Sequence, residues 1–227
     1  MNAKELIERY QAGERDFSGV DLSNVNLMGV TIHNANLNNA VFKEANLEEV
    51  KIIGSKLDNV DFKNCNLISA NLFNSSFEYA NFENVNLSYA NLSCSNFRKA
   101  NFRNSNLNNT DFCFANLIDT NLSSSSLSEA NLKKAIYSPK TVFPPNTDLK
   151  YLYLIAPGVN LSYMDSSYAS RKMRGVDLSQ ADLNNADLPH ADFTDTNLTG
   201  ANLRYAILYT AELCNTNLTN ADLSYAY

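Results

Sequence analysis

The chain has 227 residues, no tryptophan, few glycines and prolines, and a formal net charge of −6. That balance excludes a non-specific nucleic-acid binder, which needs a basic surface to displace counterions from phosphate. The charge is uneven: residues 1–137 carry −3, residues 138–175 carry +3 and residues 176–227 carry −6.

The first segment, Met1 to Glu14, contains Lys4, Glu5, Glu8 and Arg9 and no unbroken apolar stretch, so it does not read as a signal peptide. No apolar run elsewhere is long enough to span a bilayer. These features predict a cytoplasmic protein. Within the segment, residues 3–12 are expected to form a short helix with Leu6, Ile7 and Tyr10 on one face and Gly13 as its stop.

From Phe17 to Leu132 every fifth residue is Leu, Phe or Ile, in 24 consecutive positions. Such a run is the signature of an internal repeat, and it governs everything that follows. Two residues before each large one stands a small or short branched residue, as in Ala35, Ala40, Ala45, Val50, Ser55 and Cys65; Arg15, in the first unit, is the exception. The position between them is Asn 14 times and Asp four times. A period of five fits neither a helix at 3.6 nor a simple strand at two, so both residue types must face inward with a turn in every unit.

Ala35-Asn36-Leu37-Asn38-Asn39, Ala90-Asn91-Leu92-Ser93-Cys94 and Ala181-Asp182-Leu183-Asn184-Asn185 resemble the pentapeptide-repeat proteins, including cyanobacterial members that begin with a short capping helix. The resemblance implies an all-β solenoid, a right-handed quadrilateral β-helix with four units per coil. The sequence carries its own test of coil size. Residues 20 apart sort into Leu27, Leu47, Leu67, Leu87, Leu107, Leu127 and into Leu22, Phe42, Phe62, Phe82, Phe102, Leu122, whereas a spacing of 15 mixes Phe17, Ile32, Leu47 and Phe62. Asn beside the inward Leu suits turn geometry and local backbone bonding, so the Asn rows are read as structural.

The reading is one domain, 1–227: the cap, a first repeat block at 15–137, an insertion loop at 138–165 and a second block at 166–227. In the insertion Pro139, Pro144, Pro145 and Pro157 exclude regular coils, and Thr147 to Ile155 is expected as a short helix. Its apolar residues either pack back on the coils or meet a partner. Candidate protein-interaction residues are Lys150, Tyr151 and Tyr153 there, and Arg171, Lys172 and Arg174 just after. The repeat continues to Tyr227 with no cap in view, so the last coil is either open or covered by a second molecule in a twofold dimer.

His33 and His190 lie far apart at outward positions, with no nucleophile placed beside them, and Cys65, Cys94, Cys113 and Cys214 have no zinc spacing. Neither an enzyme nor a bound cofactor or metal is expected. Cys94 and Cys113 fall on neighbouring coils, within the reach of a disulfide, but in a cytosol they are expected to stay reduced. The leading reading is a structural or interaction scaffold for an unidentified protein, with no direct nucleic-acid or membrane binding. The resemblance implies an alternative, mimicry of a DNA duplex to bind DNA gyrase, for which Asp177, Asp182, Asp187, Asp192, Asp195, Glu212 and Asp222 would be the acids. Coil spacing places Asp177 over Asn197 and Asp187 over Ile207, which breaks that row.

Overall fold

A computed structural model describes residues 1–165 and 172–227. The backbone makes parallel bridges between residues 20 apart almost throughout the first block, from Asp16 with Asn36 to Asn116 with Ile136. A coil therefore holds four five-residue units, as the lane sorting required. Each unit contributes one bridging residue before the chain turns. For that reason few stretches are long enough to be strands: only β1 (Thr31–His33), β2 (Lys51–Ile53), β3 (Ile136–Tyr137) and β4 (Tyr153–Leu154) stand out among the described residues, β1 pairing with β2 and β3 with β4.

The unit can be followed at Ala35 to Ala40. Asn36 donates its N–H to Arg15 O on the coil before (2.7 Å), and Leu37 donates to Lys56 O on the coil after (2.7 Å). The chain then reverses: Ala40 N–H reaches back to Leu37 O at 3.1 Å, and Asn39 has φ of 60°. A left-handed third residue is what a type II turn demands, and Asn tolerates it better than most residues. The Asn36 side chain holds the turn from outside by accepting from Asn38 N–H at 3.2 Å, while its Nδ2 donates to Asp16 Oδ1 at 2.9 Å. The same two bonds recur up the stack, as in Asn101 accepting from Arg103 N–H and donating to Asn81. The Asn rows thus spend their amides on turns and on one another.

The inward lanes sort as the sequence indicates. Phe42, Phe62, Phe82 and Phe102 form a column with ring centroids 5.1, 5.0 and 4.6 Å apart, and Phe77 and Phe97 stack beside it at 5.1 Å. These distances sit close to the ~4.8 Å between adjacent strands, so each ring nests on the one below in offset contact. The small residue has a second duty at one corner. There the turns after Ile32, Ile52 and Leu72 stay open, and Ala35, Ser55 and Ser75 donate their N–H to Ser55, Ser75 and Ser95 Oγ at 3.1, 3.1 and 3.0 Å. Ser75 and Ser95 donate in turn to Ile52 O and Leu72 O. Serine stands in that lane because Ala cannot fill the gap in hydrogen bonding.

At the N-terminal end α1 (Ala3–Gln11) covers the first coil. Asn2 caps it by accepting from Glu5 N–H at 2.9 Å, Leu6 is wholly buried, and Tyr10 Oη accepts from His33 N–H at 2.8 Å. At the other end of the first block the insertion acts as the lid. Val142 N–H donates to Thr120 O and Leu122 N–H donates to Val142 O, while Phe143, Leu152 and Tyr137 pack against the first core. The expected helix at Thr147 to Ile155 is absent: Lys134, Tyr153 and Ile155 N–H bond to Tyr151, Ala135 and Tyr137 O, drawing the segment into β4 and turns. Pairing with β3 outcompetes local helical bonding in so short and proline-bounded a stretch.

The coil pattern is already back at Asn160, which bridges Asp182, and Asp165 bridges Asp187. Those pairs are 22 apart; from Lys172 and Asp192 onward the spacing is 20 again. The hydrophobic core is not continuous across the insertion. One cluster runs from Leu6 to Ala135, and a second gathers Ile155, Leu161, Met164, Met173, Leu178 and the second block's lanes. The second also contains Ile118 and Ile136 of the first block, which occupy outward slots. They are 2% and 0% exposed. The second block thus seats its first coil on the flank of the first block, and Ile118 and Ile136 fill the contact.

Replacing Phe62 by Ala removes the centre of the aromatic column and should cost about 3–5 kcal/mol. Urea unfolding would read this as a lowered midpoint, with the second block's transition displaced less than the first.

Candidate interaction surfaces

Two hollows bear the sequence-predicted interaction residues. The first lies at the lidded end of the first block and is lined by Ala130, Asn131, Leu132, Lys133, Asp148, Tyr151 and Leu152. Tyr151 is 59% exposed, with Lys150 Nζ 5.2 Å from the centre of its ring. Asp148 accepts from Lys150 N–H at 2.9 Å and fixes the turn. Tyr153 is half-buried in β4 and rests on the second core, so it is mainly structural.

The second hollow is a crevice of about 470 Å³ in the re-entrant angle where the blocks meet, lined by Ser76, Glu78, Asn96 and Arg98 from one and Lys172, Arg174, His190, Asp192 and Glu212 from the other. The structure places Lys172 and Arg174 here, with no residue shared with the first hollow; Arg171 lies outside the described residues. Arg98 follows Phe97 on the first block's turn row and crosses to donate Nη1 to Arg174 O. Its side chain is only 16% exposed, and its Nε, 4.0 Å from Glu78 Oε1, is shielded from solvent without a hydrogen-bond partner. Asn116, buried beside it, donates Nδ2 to Lys172 O at 2.9 Å. Arg174 grips one oxygen of Asp195 through Nε and Nη2 at 3.3 and 3.1 Å.

Lys172 is exposed to solvent as a residue, and the crevice walls stand around its ammonium. Desolvation lowers its pKa against the opposing pull of Asp58, Glu78 and Asp192. Coil order sorts the crevice by charge. Arg98 stands one coil nearer the contact than Glu78, and Lys172 and Arg174 precede Asp192 and Glu212 by one coil and two. The three cations thus start nearer the contact than the acids, while the charges that act on the Lys172 ammonium are the carboxylates Asp58, Glu78 and Asp192. His190, at the mouth, bonds through Nδ1 with Thr210 Oγ1, and its ring meets Tyr209 edge-on.

Lys172 and Arg174 were visible in the sequence as a charge run; Arg98, Glu78, His190, Asp192 and Glu212 were not. Ile118 and Ile136, apolar residues in outward slots, gave only a partial signal, because Met28, Ile53, Ile68 and Phe73 share the slot of Ile118 without being buried. Among the described residues no three His, Cys, Asp or Glu side chains could hold a metal ion, and no helix is long and apolar enough to cross a membrane. No disulfide joins Cys94 and Cys113. Cys94 N–H donates to Cys113 O at 2.9 Å, which keeps the two on adjacent coils. Cys65 is inward, its thiol pushed up to about 12 by burial, and its Sγ donates to Phe42 O.

Stacked five-residue units around filled lanes define a repeat solenoid. Family comparison agrees: a pentapeptide repeat region matches residues 55–132, and pentapeptide repeats match 15–43, 26–64, 172–208 and 196–227. The chain belongs to the pentapeptide-repeat family. Similar solved structures include Rfr23 from the cyanobacterium Cyanothece 51142, at 21% identity over 62% of this chain and 98% of that one, with a TM-score of 0.44. HetL, involved in heterocyst differentiation regulation in Nostoc sp. strain PCC 7120, is 23% identical over 100% of this chain and 96% of that one, with a TM-score of 0.25. QnrB1, a plasmid-mediated fluoroquinolone resistance protein, is 16% identical over 94% and 89%, with a TM-score of 0.44. No curated protein matches the chain.

Changing Ile118 to Asn places a polar group in the contact between blocks. The expected outcome is faster amide hydrogen exchange at Met173 to Ala181 with exchange in the Phe42 to Phe102 coils unchanged.

Proposed function

We propose that this protein is a non-enzymatic scaffold: a right-handed, square-sectioned β-helix in two blocks that binds a protein partner in the cytoplasm. Handedness and square section follow the family's pattern. The observation that carries the functional reading is how side chains are distributed. Large apolar residues fill the coils from within, whereas exposed aromatic groups such as Tyr89, Tyr151, Tyr163 and Tyr209 stand along the exterior and charged groups line the hollows at the lidded end and the junction. A solid interior offers no site for chemistry, and exposed Tyr beside Lys or Arg is typical of interfaces. Lys150 and Tyr151 form one docking surface in this reading, and Lys172 and Arg174 the other.

Mimicry of DNA to bind gyrase is the poorer reading for this chain. The ladder pairs Asp177 with Asn197, Asn197 with Asn217 and Asp187 with Ile207, so that the acidic pairs Asp165 with Asp187 and Asp192 with Glu212 stand apart and form no row. A duplex presents unbroken rows of charge.

The proposal includes self-association through the last coil. Leu213 is 37% exposed there, and Tyr205 and Tyr225 stack outward at 5.0 Å with Arg204 against both rings. A second copy would cover the open lanes by a twofold contact. Light scattering should then give a dimer for the wild type and a monomer for Leu213→Lys; a monomeric wild type refutes this part.

The insertion is a lid, so deleting it would unfold the first block's end, and point variants test the function more cleanly. Affinity capture from the source cell with the wild type should recover a partner that is lost with Tyr151→Ala plus Lys150→Glu or with Lys172→Glu plus Arg174→Glu. If both variants keep every specific partner, neither surface is the docking site.

A further inference from the structure

The lid of the first block leaves a gap about as wide as one strand. Between Asn121, which bridges Val142, and Lys134, which donates its N–H to Tyr151 O, the last coil advances 13 residues. The insertion makes the same passage in nine, from Val142 to Tyr151, and contains Pro144 and Pro145, so it cuts the corner and leaves coil backbone unpaired. One coil below, Leu107 and Asn109 donate N–H to Ser126 and Ser128 O at 2.9 and 2.8 Å, while Ser105 and Thr110 O accept from Ser126 and Asn131 N–H at 3.0 and 2.9 Å. The corresponding groups of the last coil, Leu127 and Glu129 N–H and Ser125 and Ala130 O, have no partner among the described residues. Leu127, the last member of its lane, is only partly buried, and at Ala130 the edge runs into the hollow of about 450 Å³ walled by Asp148, Tyr151 and Leu152.

We propose that this edge receives an extended strand of a partner protein, laid down in parallel register as the next layer of the solenoid. The proposal rests on the reading of Lys150 and Tyr151 as a docking surface and adds what kind of chain docks there. The end of the second block is also an open edge, with Leu213, Leu218 and Leu223 N–H unpaired, but it runs round the whole section and calls for a cover as wide as a coil. The gap in the lid takes one strand. The stacking of the coils specifies its side chains. An aliphatic residue continues the lane of Leu87, Leu107 and Leu127. Side chains two places after the lane residue meet those 20 away: Lys99 Nζ donates to Tyr79 Oη at 2.8 Å, and Tyr205 stacks on Tyr225. Glu129 holds that place on the last coil, exposed and in no ion pair among the described residues. The strand therefore carries Lys or Arg two residues after its Leu, as Lys63 and Glu83 pair across coils one slot earlier. Lys133 and Asp148, farther along the hollow, carry opposite charges and leave Glu129 to set the sign. A charge on an edge also turns away uncharged strands.

The test uses the intact protein and the peptide acetyl-Ala-Asn-Leu-Ser-Lys-Ala-amide, with amide hydrogen exchange followed by NMR. Exchange at Leu127 and Glu129 should slow about tenfold, while Leu122, whose N–H is already bonded to Val142 O, stays as it was. Methylating the backbone nitrogen of the peptide's Asn, the donor to Ser125 O, should weaken binding about tenfold with every side chain unchanged. In Glu129→Lys, the peptide with Glu in place of its Lys should become the better ligand. Strand addition is overturned if the N-methylated peptide protects both groups equally, if the charge exchange leaves the preference unaltered, or if no protection appears up to about 1 mM peptide. Slow exchange in the protein alone that dilution reverses gives the edge to a second copy and overturns it too. The docking reading has a separate readout: if the captured partner is lost with Tyr151→Ala plus Lys150→Glu while the peptide leaves Leu127 and Glu129 unprotected, that surface stands and strand addition fails.

Discussion

Everything in this protein depends on the 20-residue register. A five-residue unit is too short to bury its Leu or Phe alone, and one coil leaves half its backbone groups unpaired. When a second coil is laid down with the same phase, the inward side chain meets its like and the N–H and C=O groups meet partners in a single step. Hydrogen bonding and packing are therefore not separate contributions here: a slip of one residue would lose both. That coupling explains why the inward row holds its residue class so strictly while the turn positions vary.

The strictness also explains what the sequence reveals. Period, coil size, lane composition and the capping helix follow from residue types recurring at fixed intervals, because each inward slot has one environment. The Asn rows are legible for the same reason: the amide has a defined task at the turn. The insertion is less legible. Leu152 and Phe143 announce burial without saying against what, and the fate of Thr147 to Ile155 depends on Ala135 and Tyr137 offering a strand edge, which no local propensity encodes. The unit Val159-Asn160-Leu161-Ser162-Tyr163 conforms to the repeat and Met164 and Asp165 carry the coil on, but it follows directly on the proline-rich insertion, which hides its return in the sequence.

The junction is the part that the repeat hides. Its residues obey the pentapeptide pattern in every respect but chemistry: Ile118 and Ile136 are apolar where solvent is expected, and Arg98 is long enough to cross a gap. Their meaning lies in a tertiary contact between units far apart in sequence, and a periodic pattern carries information only about neighbours in the stack. The same contact assembles Lys172 and Arg174 with Glu78 and Asp192, groups that sequence order separates. Departures from an otherwise regular repeat are thus the places to look for what is individual in such a chain.

Seating one solenoid on the flank of another has an evolutionary corollary. Coils lying before Lys56 touch neither the junction nor the lid, so a duplication of 20 residues there would lengthen the first arm by roughly 4.8 Å and leave the angle between the arms and the crevice chemistry as they are. The molecule is in effect a gauge with an adjustable limb. Reach and recognition can be selected independently in a protein built this way.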